Sequence, residues 1–243
     1  MSALEAGYEE YLGYLGLLRA SGASYFLEGG QAVNFWAEYV DSRVQGKPLS
    51  PLRPFTSKDC DICVSYDTWE KIKCDPKIQK GSSPADGQLG ILTLSKNPPR
   101  VVDVLSSVYG IDCREYKRLH KRALDDGQMI VLDPLYLFLS KCHCLLGLPQ
   151  GDRQDDRHLR MLALILPEYI SLLIHDVQAG AMDARMLLAE IKLLRKLASS
   201  GPCRRAMKQL GIVPESLIPW ARLESSNSDL LREYARRQQA ASA

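Results

Sequence analysis

The chain has almost no net charge and lacks the long apolar stretch that a membrane anchor needs. Its 31 lysines and arginines nearly cancel 29 aspartates and glutamates, leaving a formal +2 over 243 residues. A total so close to neutral neither demands nor excludes nucleic acid, because a local basic patch matters more than the sum. No uninterrupted apolar run reaches the length of a bilayer-spanning helix. The opening Met1-Ser2-Ala3-Leu4-Glu5 has no secretory-signal pattern. Both absences predict a cytoplasmic chain with no membrane partner. There are no internal repeats, and the seven cysteines form no regular framework. Cys60 and Cys63 make a Cys-x-x-Cys and Cys142-His143-Cys144 a second cluster. A zinc site needs two well-spaced ligand pairs, and positions three apart on a strand face opposite sides. Buried, reduced thiols are expected, with a zinc or thiol-redox site as the alternative.

Chemistry concentrates between Tyr25 and Val64. An apolar strand-like run, Tyr25-Phe26-Leu27-Glu28, leads into Gly29-Gly30 and a helical pattern over 31–43. Glycines at a strand-to-helix turn let backbone N–H groups approach an anion, and the helix N-terminus points at the same anion. An irregular connector over 45–54, a spacer or a lid, precedes Thr56-Ser57-Lys58-Asp59-Cys60-Asp61-Ile62-Cys63-Val64. On a strand, residues two apart share a face. Asp59 and Asp61 therefore project together, with Cys60 and Ile62 turned to the buried side. Two adjacent carboxylates repel unless a cation or proton lies between them, and a hard dication such as Mg²⁺ takes oxygen ligands. Lys58 offers a point charge for a phosphate. Gly-Gly alone is more often a plain turn, and Asp-x-Asp also occurs in solvated and calcium-binding loops. The order of the elements favours a phosphate-and-metal site.

A third acid interrupts the strand-like run Arg100-Val101-Val102-Asp103-Val104-Leu105. A charge there is costly to bury unless it is paired or holds a metal. Asp103 either faces water on an edge strand or joins Asp59 and Asp61, the arrangement that two-metal phosphoryl or nucleotidyl transfer uses.

The rest of the chain reads as a helix over 3–20 ended by Ser21-Gly22, a short helix from Asp67, and an exposed loop over 74–87. Paired strands over 87–94 and 100–105 follow, turned by Asn97-Pro98-Pro99. The basic stretch 112–128, with Arg114, Lys117, Arg118, Lys121 and Arg122, is a solvated helix face or a contact for RNA phosphates. Asp133-Pro134 is a strong helix start. Lys141 stands out in the apolar helix that follows, and a lysine there snorkels to the surface unless it is paired. Helical patterns continue over 156–178, 183–199, 202–210 and 228–239. Arg204, Arg205, Lys208, Arg232, Arg236 and Arg237 offer a weak basic surface. The fold class expected is α/β (α+β), with a small mixed-sheet domain over 1–110 and a helical domain over 111–243.

The segments LEGGQAVNFW and FTSKDCDICV, with the later strand aspartate, resemble the nucleotidyltransferase superfamily of polymerase-β-like fold. Within it they look most like the nucleotidyltransferase toxins of abortive-infection and toxin–antitoxin systems. The resemblance spans about residues 20 to 165 and is carried by short motifs. It implies that Gly29 and Gly30 cradle the triphosphate of an NTP such as ATP, that Asp59 and Asp61 hold Mg²⁺ or Mn²⁺, and that Asp103 is the third carboxylate and base. Lys141, by the same resemblance, reaches the nucleotide phosphates. The second-helix motif departs from the family's Lys-Asp-x-x-Asp, reading Gln154-Asp155-Asp156-Arg157-His158. The implied reaction moves a nucleotide to an acceptor hydroxyl, with a tRNA or other RNA end as acceptor and a cognate antitoxin as partner. Transfer to a protein or small-molecule hydroxyl, and a binding or adaptor module without turnover, are the alternatives.

Overall fold

The computed structural model describes residues 5–81 and 87–240. Of the expected N-terminal helix, residues 3 and 4 lie outside that range, as do 82–86 of the expected exposed loop. After a 3-10 turn over Tyr8–Tyr11 comes α1 (Leu12–Ala20), closed by Gly22 at φ 69°. Strand β1 (Tyr25–Glu28) runs straight into α2 (Gly29–Asp41), so the glycine pair forms the helix's first turn. Next are β2 (Cys60–Val64) and α3 (Tyr66–Ile72). The α3 cap is Ser65, whose hydroxyl accepts from the Thr68 N–H, which places the helix start one residue before the expected Asp67. Strands β3 (Ile78–Lys80), β4 (Gln88–Lys96) and β5 (Pro99–Leu105) follow. Then come α4 (Tyr116–Arg122), β6 (Leu124–Asp125) and β7 (Ile130–Val131). The remainder is α5 (Pro134–Gly147), α6 (Asp155–Gln178), α7 (Ala184–Ala198), α8 (Gly201–Leu210), α9 (Trp220–Glu224) and α10 (Asp229–Ala240).

The seven described strands form one mixed sheet in the order β3-β4-β5-β2-β1-β7-β6. The fold class is therefore mixed α/β with a helical C-terminal half, as expected. The sheet gains more strands than the sequence suggests. β3 lies within the expected loop, and β6 and β7 come from beyond residue 110, with β7 parallel to β1 through Leu27 and Val131. Runs of two or three residues are too short to show a period of two.

Register matters more than strand number. β2 pairs antiparallel with β1, setting Asp61 against Glu28, and parallel with β5, setting Asp61 against Asp103. β5 is an interior strand between β4 and β2, so Asp103 is not the water-facing acid of a sheet edge. Along β5, Val102 and Val104 are buried and Asp103 alternates with them to the opposite face.

The apolar core is continuous from sheet to helices. Leu27 and Ile62 from the strands, Val33 and Trp36 from α2, Phe138 from α5 and Leu162 from α6 are all buried in one cluster. Each such side chain contributes about 1.5–3 kcal/mol through burial. Trp36 also donates its indole N–H to the Leu132 carbonyl at 2.8 Å and meets Tyr169 edge-on at 5.4 Å. α5 starts where its sequence predicts: Asp133 accepts from the Tyr136 N–H and Pro134 opens the first turn. Among the described helices, α6 is the one long and apolar enough to cross a membrane by length and composition, which the sequence reading did not single out. It packs on α2 and α5 and buries Leu159, Leu162, Ile165 and Leu166 on one face, while Leu164 is exposed.

Candidate functional site

Sheet register assembles the acids. Asp59 lies in a bend one residue before β2, its carboxylate near that of Asp61, and the parallel β2–β5 pairing sets Asp103 beside Asp61. One carboxylate oxygen from each of the three lies within 4.8 Å of the others. This is the one group among the described residues that could hold a metal ion, and its all-oxygen donor set suits a hard divalent cation. Glu28, which the sequence reading passed over, is a fourth acid in the same cross-strand row and is buried.

Without a cation the row is electrostatically strained. Burial pushes the Asp61 carboxyl well up, and the Asp59, Glu28 and Asp103 charges push it further, against the pull of Lys141. Burial, with Asp59 beside it, raises Asp103 to about 6, although the Gln88 amide donates to Asp103 Oδ1 at 3.1 Å. Burial raises Glu28 to about 7 against Lys141, the Gly29 N–H and Arg153. The sign follows from the direction of these shifts. A group whose folded pKa lies above its unfolded value stabilises the protein below the unfolded value, and that contribution fades as pH rises through the folded one. In the metal-free protein the Asp103 and Glu28 contributions should thus fall away as pH rises through about 6 and about 7. Cation binding needs the ionised carboxylates and releases their protons. Calorimetric Mn²⁺ affinity is expected to level off above neutral pH and to weaken as pH falls through about 6. A pH-independent affinity between 5 and 8, values that bracket the Asp103 transition by about one or two units, would contradict this.

The glycine pair makes room for side chains. Gly29 has φ 67°, and a Cβ there would overlap the Asp61 carboxylate. A Cβ on Gly30 would lie 2.5 Å from Ser57 Oγ and 2.8 Å from His158 Cε1. Gly30 lines the cavity described below, whereas the open space at Gly29 is already filled by Asp61. Gly29→Ala is expected to cost about 1–3 kcal/mol through left-handed strain and displacement of Asp61. Urea unfolding and Mn²⁺ titration of the same variant should show both losses.

A cavity of about 160 Å³ opens beside the triad, lined also by Lys58, Lys141, Arg153, Asp155 and His158. Lys141 does not snorkel: it is 5% exposed, and its Nζ donates to Asp155 Oδ1 at 2.9 Å. Arg153 Nε donates to the other Asp155 oxygen at 2.6 Å. Burial pushes Asp155 up, and the Lys141 and Arg153 charges more than reverse this, to about 2. Lys58 is half-exposed and donates to the Asp152 carbonyl at 3.1 Å. Acids for a cation and fixed cations for an anion therefore share one small space. The connector over 45–54 is pinned: Asp41 accepts from the Leu49 N–H and the Ser50 hydroxyl, and Arg157 donates to the Leu52 carbonyl.

The other sequence candidates lie elsewhere. In the basic stretch, Arg114 pairs with Asp112 and Arg118 with Glu115, while Arg122 is held between Asp133 and Glu190. Cys60 and Cys63 are both buried free thiols, pushed well up by burial. Glu28, Ser57, Gln88, Arg153, Asp155 and His158 were not singled out as site residues. Glu28 carried a signal, as an acid ending an apolar strand run before the glycines, and Asp155 and His158 lie in the second-helix segment that departs from the family motif.

No protein-family model and no curated protein matches this chain. Among solved structures it is similar to an antigenic nucleotidyltransferase-like protein from Paracoccidioides brasiliensis, with 15% identity and a TM-score of 0.40, over 84% of this chain and 95% of that one.

Proposed function

We propose that the chain is a metal-dependent nucleotidyltransferase that moves a nucleotide from an NTP to an acceptor hydroxyl and releases pyrophosphate. The observation that carries this is the meeting of Asp59, Asp61 and Asp103 within 4.8 Å, beside a cavity whose cations suit phosphates. The three acids would hold Mg²⁺ or Mn²⁺, which supplies charge neutralisation at the reacting phosphate and leaving group. Lys141 and Arg153 present positive charge to the polyphosphate, and Lys58 adds to it from the cavity rim. Asp103, oriented by Gln88, takes the proton of the acceptor hydroxyl. The acceptor oxygen bonds to the α-phosphorus as the bond to the bridging oxygen breaks. The motif resemblance adds the finer reading, an RNA or tRNA end as acceptor in a toxin with a cognate antitoxin.

Incubating the purified protein with α-labelled NTPs, Mg²⁺ or Mn²⁺ and total RNA tests this. Label should enter RNA in a metal-dependent way and be lost in Asp61→Ala. Metal binding with no transfer to RNA, protein or small-molecule hydroxyls would leave a binding module in place of an enzyme.

A further inference from the structure

His158 sits in the first turn of α6, 3% exposed, and neither ring nitrogen has a hydrogen-bond partner among the described residues. Buried polar side-chain atoms are nearly always paired, so an imidazole with both nitrogens idle requires a reason. Its surroundings supply one. His158 lines the same cavity as Asp59, Asp61, Asp103 and Lys141, and its ring edge occupies space that only a glycine at 30 leaves free. Ser57, whose hydroxyl shares that space, lines the cavity as well.

The surroundings favour the uncharged ring. Burial pulls its pKa well below the ordinary value, and the Lys141, Arg157 and Arg153 charges pull it further, against Asp155. A neutral imidazole offers one N–H donor and one acceptor. Those neighbouring cations make the region attractive to an anion, and an anion with several oxygens could take the donor. A polyphosphate fits that description.

We propose that His158 is a phosphate-binding residue whose ring N–H hydrogen-bonds a non-bridging oxygen of the donor's polyphosphate in the cavity that His158 lines with Gly30 and Ser57. This deepens the nucleotidyltransferase reading and rests on it for the identity of the donor. The binding itself can be measured without turnover.

The experiment compares the full-length wild type with His158→Leu and His158→Gln by calorimetry, using Mn²⁺ alone and then pyrophosphate with Mn²⁺ present. His158→Leu is expected to weaken pyrophosphate binding about tenfold or more, as loss of a hydrogen bond to a charged group does. Mn²⁺ affinity should stay within about twofold, since His158 is not among the acids that would hold the ion. The melting temperature without ligand should hold or rise, because the leucine removes unpaired polar atoms. His158→Gln keeps an N–H donor and should recover part of the affinity. Unchanged pyrophosphate binding in His158→Leu overturns the proposal. So does a joint loss of Mn²⁺ binding and thermal stability in both variants, which would mark a structural residue. If the wild type binds pyrophosphate through His158 yet transfers no label, the enzyme reading fails while this assignment stands.

Discussion

Asp61→Asn is expected to abolish nucleotide transfer while raising the melting temperature of the metal-free protein. The two effects share a cause. Asp61 lies in register between Glu28 and Asp103, with the Asp59 carboxylate close by. At neutral pH the folded chain must carry the Asp61 charge against those neighbours or hold a proton that the unfolded chain releases. An amide of the same shape avoids both penalties, and its N–H₂ can donate to the adjacent carboxylates. Relief of about 1–2 kcal/mol, the usual size of a single-substitution effect, corresponds to roughly 2–8 °C for a chain of this size. The same change removes a metal ligand, and losses of about a thousandfold accompany removal of a comparable transition-state contact. Thermal unfolding in EDTA and in excess Mn²⁺ separates the terms. The wild type should gain more from Mn²⁺ than the variant does. Equal gains, or a variant less stable than the wild type in EDTA, would remove the triad as a cation site.

Lys141→Met should be among the most destabilising single changes in the chain, at about 3–5 kcal/mol, the usual penalty for removing one partner of a buried ion pair. Methionine keeps most of the lysine's volume, so packing is a minor part of that loss. The main part is charge. Lys141 is bonded to Asp155, and its charge also opposes the raised pKa values of Glu28 and Asp61. Without it, Asp155 retains Arg153, while Glu28 and Asp61 lose their main opposing cation. Neutralising Asp155 as well, in Lys141→Met with Asp155→Asn, should recover about 1–3 kcal/mol as coupling energy, because Arg153 can turn to solvent. Urea unfolding at unchanged m-value reads both numbers. A single-variant loss below about 1 kcal/mol, the usual size for an exposed pair, would show that Lys141 is not held as a buried charge.

Local rules made part of this protein legible before any coordinates. Strand alternation pointed to Asp59 and Asp61 meeting, which they do although Asp59 lies one residue before β2, and Asp133 and Pro134 gave the start of α5. The glycine pair was readable as a strand-to-helix turn, although its purpose was not. What it accommodates, Asp61 at Gly29 and Ser57 with His158 at Gly30, comes from segments about 30 to 130 positions away in the chain. Basic residues over 112–128 look like one cationic surface in sequence, and ion pairs to Asp112, Glu115, Asp133 and Glu190 divide them.

The amino-acid order by itself determined that Asp59 and Asp61 belong together at the head of β2, where α5 begins, and that an apolar strand carries a lone aspartate. Tertiary structure alone decided that β5 lies beside β2 and in which register, which turns a pair of carboxylates into a triad and adds Glu28 to the row. It also decided that Lys141 and His158 are buried at the same cavity. The reason is range. Capping and alternation act over a few residues, whereas strand neighbours and the burial of a charge are settled by how the whole apolar surface is covered at once.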